Sequence, residues 1–156
     1  MIKEGDRAPQ FSLPADDGSV VTRDSLKGRN TVLYFYPKDD TTGCTKEACE
    51  FRDAFPRFGK TNAQVIGVSP DSIESHRKFK KKYQLPFPLL ADEGHKLAEE
   101  FGVWKEKSMY GRTYMGVERT TVIIDRDARV ARIFPKVKVE GHVQEVENAL
   151  RELDKK

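Results

Sequence analysis

Hydrophobic and polar positions along the chain alternate between short apolar runs and longer amphipathic stretches. Thr31–Tyr36 is continuously apolar and β-branched, the pattern of a strand buried on both faces. Thr42–Phe55 places Ala48, Phe51, Ala54 and Phe55 at helical spacing, and Pro56 is expected to end that helix. Gln64–Ser69 reads as a second buried strand. Ser72–Tyr83 reads as a charged helix with Ile73, His76, Phe79 and Tyr83 on one stripe. Leu89–Leu90 fits a short strand and Gly94–Phe101 a short helix. Ser108–Gly116 reads as a loop. Thr120–Ile124 and Arg129–Phe134 form a third and fourth strand around the turn Asp125-Arg126-Asp127. His142–Leu153 is an amphipathic closing helix. Near the start, Gln10–Leu13 and Ser19–Thr22 flank Asp16-Asp17-Gly18 and suit a hairpin. The predicted order is β-α-β-α-(αβ)-β-β-α behind an N-terminal β extension.

Composition narrows the class. A length of 156 residues predicts a single domain, 1–156. The longest apolar run, Val32–Tyr36, is far short of the ~20 residues that span a bilayer, so no membrane segment is expected. The opening Met1-Ile2-Lys3-Glu4-Gly5-Asp6 carries acids and no apolar core, unlike a signal peptide, which points to a cytoplasmic protein. Net charge is only +3, with both signs interspersed, so nucleic acid is not an expected partner. In Lys78–Tyr83 the lysines surround Phe79 and Tyr83, which at this spacing face a core.

Two cysteines do not make a disulfide scaffold. Cys44 follows a buried strand and a turn, and sits in the first turn of the helix that begins near Gly43. Unpaired backbone N–H groups and the positive end of the helix dipole favour a thiolate there. Cys49 comes five residues later. On an intact helix the two Cα atoms would be roughly 8.7 Å apart, beyond the ~6.8 Å limit for a disulfide. Pairing therefore requires the helix to unwind. Spacing alone leaves two structural thiols as an open alternative. It disfavours a disulfide exchanger, which uses Cys-x-x-Cys, and a zinc site, because His76, His95 and His142 lack ligand spacing. Each of these histidines reads as structural or exposed.

Pro37-x-x-x-Thr41-x-x-Cys44 after a buried strand resembles the active-site motif of the peroxiredoxins. Phe35-Tyr36-Pro37-Lys38-Asp39 and Gly43-Cys44-Thr45-Lys46-Glu47-Ala48-Cys49 are similar to the Q type, also called bacterioferritin comigratory protein. The opening Gly5-Asp6-x-Ala8-Pro9-x-Phe11-x-Leu13 and the blocks Phe101–Trp104 and Glu118–Asp125 extend the likeness along nearly the whole chain. Thr42 departs from it, standing where many members carry proline. The resemblance implies an α/β thioredoxin fold with an N-terminal β extension, in keeping with the element order. It also implies a thiol-dependent peroxidase acting on hydrogen peroxide and organic hydroperoxides, needing no metal, haem or flavin.

The resemblance assigns roles residue by residue. Cys44 is the peroxidatic nucleophile and Cys49 the resolving thiol, joined in an intramolecular disulfide that thioredoxin or a glutaredoxin-like dithiol reduces. Thr41 and Arg119 bind the peroxide, Pro37 shields the thiolate, and Glu47 orients Arg119. Arg119 opens a strand expected to run antiparallel to Thr31–Tyr36, which would bring it to the Cys44 end. Resolution within one chain implies a monomer. Two alternatives share the same fold: a protein-disulfide reductase and a non-enzymatic peroxide sensor.

Overall fold

A computed structural model describes residues 2–155. A five-stranded mixed sheet, ordered β5-β4-β3-β8-β9, forms the centre. Its strands are β3 (Asn30–Phe35), β4 (Ala63–Ser69), β5 (Leu89–Ala91), β8 (Thr120–Ile124) and β9 (Val130–Phe134). β3, β4 and β5 run parallel, while β8 is antiparallel to both β3 and β9. The parallel half is connected by two crossover helices, α1 (Thr42–Lys60) and α2 (Ile73–Tyr83). Successive right-handed crossovers moving in one direction along a sheet put both helices on the same face. The closing helix α4 (His142–Asp154) packs beside α1.

Alternation along β3 builds two cores. Val32, Tyr34 and Tyr36 pack with Phe51, Phe58, Phe79 and Val146 from the three helices. Leu33 and Phe35 face the other way, onto Leu97 and Phe101 at the short α3 (Lys96–Glu100) and onto Ala15 and Leu26 of the N-terminal segment. That segment carries the expected hairpin as β1 (Ser12–Pro14) and β2 (Val20–Thr22). No helix among the described residues is long and apolar enough to cross a membrane.

Two expectations fail. α1 does not stop at Pro56 but runs on to Lys60. Proline removes one N–H bond, and the extra turn buries Phe58 to 1% exposure in compensation. Ser108–Gly116 is not a loop: β6 (Trp104–Met109) and β7 (Arg112–Val117) form a separate two-stranded antiparallel sheet. Tyr110 and Gly111 turn the chain with φ of +53° and +77°, positive at both central positions as a tight hairpin turn requires.

Candidate active site

The site lies where β3 ends, α1 begins and β8 starts. Parallel β3 delivers Tyr36 and then half-buried Pro37 to the edge of the sheet. Asp39 turns inward, Asp40 takes a left-handed conformation with φ +59°, and Thr41 is the residue before the helix. Cys44 therefore falls in the first turn of α1, buried to 1% exposure. No acidic residue lies in that turn, so the positive end of the helix dipole is left for another anion. A threonine in the position before a helix commonly satisfies the helix's first N–H groups. Instead the Thr41 side chain caps nothing and donates to the Lys38 carbonyl at 2.9 Å. The hydroxyl has turned back into the loop.

β8 pairs antiparallel with β3, Thr120 opposite Phe35. This register brings Arg119 to the same end as Cys44 across 75 residues of chain. Its Nη2 donates to Cys44 Sγ at 3.3 Å and its Nη1 to Glu47 Oε1 at 2.6 Å. One guanidinium thus joins two side chains of the same helix face, three residues apart. Burial pulls against its charge, but the Glu47 and Cys44 partners outweigh that and raise its pKa further.

Glu47 is completely enclosed. Burial raises its pKa from 4.5 to about 7, with Arg119 only partly holding it down. Its Oε2 and the Tyr34 hydroxyl, both buried, have no hydrogen-bond partner among the described residues. Burial pushes the Tyr34 phenol well above its usual range, helped by the nearby charges of Glu47 and Cys44.

Several contributors were given no role at the site from the sequence. A Cβ on Gly43 would stand 3.1 Å from Arg119 Nη2, so this glycine lets the guanidinium close on the helix. Lys107, half-buried on β6, has its pKa lowered by burial and by Arg119, with Cys44 and Glu118 opposing. His142 on α4 contacts Thr121 Oγ1 at 2.7 Å and meets the Phe51 ring edge-on. Burial lowers its pKa, and the Arg119 charge acts in the same sense against Glu145. His142 had been expected as structural or exposed; it is buried behind the site.

Cys49, half-buried, lies on the same helix as Cys44, and both are free thiols. Around Cys44 the arrangement has the features of an anion site: a cation within hydrogen-bonding distance, a helix N-terminus and exclusion from bulk water. A buried sulfur so placed is suited to nucleophilic attack on a small electrophile.

The AhpC/TSA family matches residues 4–133. Peroxiredoxin Bcp of Bacillus subtilis is 50% identical over 99% of this chain and 99% of its own length. The chain belongs to the peroxiredoxins, in the Q-type or bacterioferritin comigratory branch. Peroxiredoxin Bcp of Escherichia coli K12 is 42% identical over 97% of each chain. Among solved structures, a cysteine-to-serine mutant of Xylella fastidiosa PrxQ superposes with a TM-score of 0.92 at 37% identity, covering 97% of both chains. The bacterioferritin comigratory protein of Xanthomonas campestris, studied for alkyl peroxide reduction, gives 0.88 at 39% identity over 92% of each. These matches agree with the α/β thioredoxin-like architecture read from the element order.

Proposed function

We propose that Cys44 is the peroxidatic nucleophile of this thiol-dependent peroxidase, acting on hydrogen peroxide and organic hydroperoxides. The observation that carries this reading is the single guanidinium of Arg119 bonded to both Cys44 Sγ and Glu47. The thiolate attacks one peroxide oxygen, the O–O bond breaks, and water or alcohol leaves with a proton. Cys44 is left as a sulfenic acid. Arg119 offsets negative charge on the thiolate and on the departing oxygen. Arg119 holds the peroxide together with Thr41, whose hydroxyl oxygen keeps acceptor capacity while it donates to Lys38, with Pro37 screening the sulfur and Glu47 fixing the guanidinium.

The first turns of α1 then unwind, and the Cys49 thiol displaces hydroxide from the Cys44 sulfur to give a disulfide and water. Thioredoxin or a glutaredoxin-like dithiol restores both thiols by exchange. The protein acts as a cytoplasmic monomer of one domain.

Counting thiols and following intact mass after one equivalent of hydrogen peroxide tests this. The wild type is expected to lose both thiols rapidly and two hydrogens. C49S is expected to stop at a trappable sulfenic acid, and C44S to stay unreacted. Oxidation of the wild type no faster than free cysteine overturns the reading. Turnover of protein disulfides without peroxide consumption would make it a disulfide reductase.

A further inference from the structure

A second buried polar cluster lies on the far side of the loop that leads to Cys44. His76 on α2 is fully buried and Asp39 nearly so. His76 Nδ1 lies 2.7 Å from Asp39 Oδ2, and Nε2 lies 2.9 Å from the Leu90 carbonyl oxygen on β5. Asp39 also accepts from the Ser75 hydroxyl at 2.8 Å and from the Tyr36 hydroxyl at 2.5 Å. A ring with an acceptor at each nitrogen satisfies both only by carrying two protons. His76 is therefore an imidazolium paired with the Asp39 carboxylate.

The groups facing this ring are Tyr36 just after β3, Asp39 and Asp71 from the loops, Ser75 on α2 itself and Leu90 from β5. Burial works against the charge, but the Asp39 bond and charge, the Leu90 carbonyl and Asp71 raise the pKa of His76 above its ordinary 6.5.

The pair is placed to hold the active-site loop. Asp39 stands between Pro37 and Thr41, and its backbone N–H donates to Asp71 Oδ2 at 2.8 Å. Asp71 in turn accepts from Ser69 at the end of β4. The next residue, Asp40, accepts from Lys82 Nζ and Tyr83 Oη at the other end of α2, at 2.8 and 2.9 Å. The loop is fastened to α2 immediately before the turns of α1 that must unwind.

We propose that the His76–Asp39 pair is a positioning latch for the reaction: it holds the 37–41 loop and the first turn of α1 wound, and so sets how often Cys49 can reach Cys44. This rests on the roles proposed above for the two cysteines. The Cys44 sulfenic acid has two fates. The Cys49 thiol can condense with it, forming the S–S bond and releasing water, which needs unwinding. Alternatively its sulfenate attacks a second peroxide, which breaks the O–O bond, releases water or alcohol and leaves a sulfinic acid. That second step needs the wound site. The ratio of sulfinic acid to disulfide therefore reports the latch.

The sign with pH follows from the raised pKa. The pair's stabilisation is complete below about 6.5, the ordinary histidine value, and is lost as pH rises through the higher folded value. The latch loosens in alkali.

The test doses reduced protein with graded hydrogen peroxide from pH 6 to 9, quenches with an alkylating reagent and separates disulfide from sulfinic acid by intact mass. H76Q is expected to lower the sulfinic fraction at pH 6 about tenfold, and S75A, which removes one bond to Asp39, about threefold. Glu47 titrates in all three proteins, so the wild-type to H76Q ratio isolates His76 and should fall toward one as pH rises. Backbone hydrogen exchange of reduced E47Q supplies a readout that leaves the His76–Asp39 pair intact and removes the Glu47 titration near 7. After correction for intrinsic exchange, protection across residues 37–48 should fall with pH relative to residues 51–58. A partition in folded H76Q and S75A equal to wild type at every pH overturns the latch. So does flat protection of 37–48, which decides the matter even if H76Q does not fold. Wild-type protein whose Cys44 does not oxidise rapidly sinks the functional reading instead, and the exchange measurement still decides the latch.

Discussion

Cys44 and Cys49 share one helix yet almost nothing of their surroundings. Cys44 is enclosed in the first turn, with a guanidinium 3.3 Å from its sulfur. Cys49 is half-buried further along α1. Arg52, which interacts with it electrostatically, is already committed to Asp53 and to the Tyr83 carbonyl. The same chemical group is thus placed once where an anion is stabilised and once where it is merely held in reserve. The two environments differ in position on the helix and in the guanidinium bonded to one sulfur, not in the residue type.

The largest break in that contrast is removal of the sulfur itself. C44S should slow peroxide consumption at least about a thousandfold, because no other group in the site supplies the nucleophile. C49S should leave the first oxidation by peroxide nearly unchanged and abolish disulfide formation. Stopped-flow tryptophan fluorescence, followed by mass analysis, distinguishes the two.

Next comes the cation. R119M should lower the rate of Cys44 oxidation about a hundredfold, the usual cost of one preorganised donor at a site of developing charge. Reactivity of Cys49 toward a small alkylating reagent should not change in R119M, which would sharpen the comparison.

Glu47 ranks third, with an effect of about tenfold on oxidation through misplacement of Arg119. It also gives a pH signature. Its folded pKa of about 7 exceeds its ordinary value of 4.5. The folded state therefore holds the proton more tightly, and the stability this confers is complete below 4.5. It is lost as pH rises through about 7. The loss approaches about 3 kcal/mol at alkaline pH. E47Q should flatten that part of the stability profile in urea melts between pH 5 and 8.

The smallest change is G43A. The added methyl group would press on Arg119 Nη2 at 3.1 Å, and a flexible guanidinium can yield. About a threefold loss in oxidation rate is expected, with melting temperature scarcely altered.

Which parts of this were legible in the sequence follows from the kind of signal each part leaves. β3, β4 and β8 are dominated by apolar and β-branched residues because both faces are covered, and such runs are plain to read. The meeting of Arg119 with Cys44 was inferable from the fold that the resemblance implied, since the start of an antiparallel strand adjoins its neighbour's end. The β6–β7 hairpin was not legible. Its strands expose Met109, Tyr114 and Met115, so no buried face imposes alternation. Its turn is Tyr110-Gly111, with tyrosine where asparagine or aspartate would have announced it. The end of α1 was misread because proline's local preference was outweighed by burial of Phe58. His76 looked like any histidine on an apolar stripe. Its partner Asp39 lies 37 residues away, and nothing local predicts that both ring nitrogens will find acceptors.

Thr41 has a consequence for where α1 is weakest. A threonine before a helix commonly spends its oxygen on the helix's own N–H groups, which is worth about 1 kcal/mol. Here the hydroxyl points back to Lys38 instead. Forgoing such a cap multiplies the population of frayed first turns by about five. At the opposite end Phe51 and Phe58 rivet the same helix to the core. A sheet of paper with one perforated margin tears along that margin whatever pulls on it. This helix has its perforation immediately in front of Cys44, so the segment that the proposed disulfide step would open is the one that yields first.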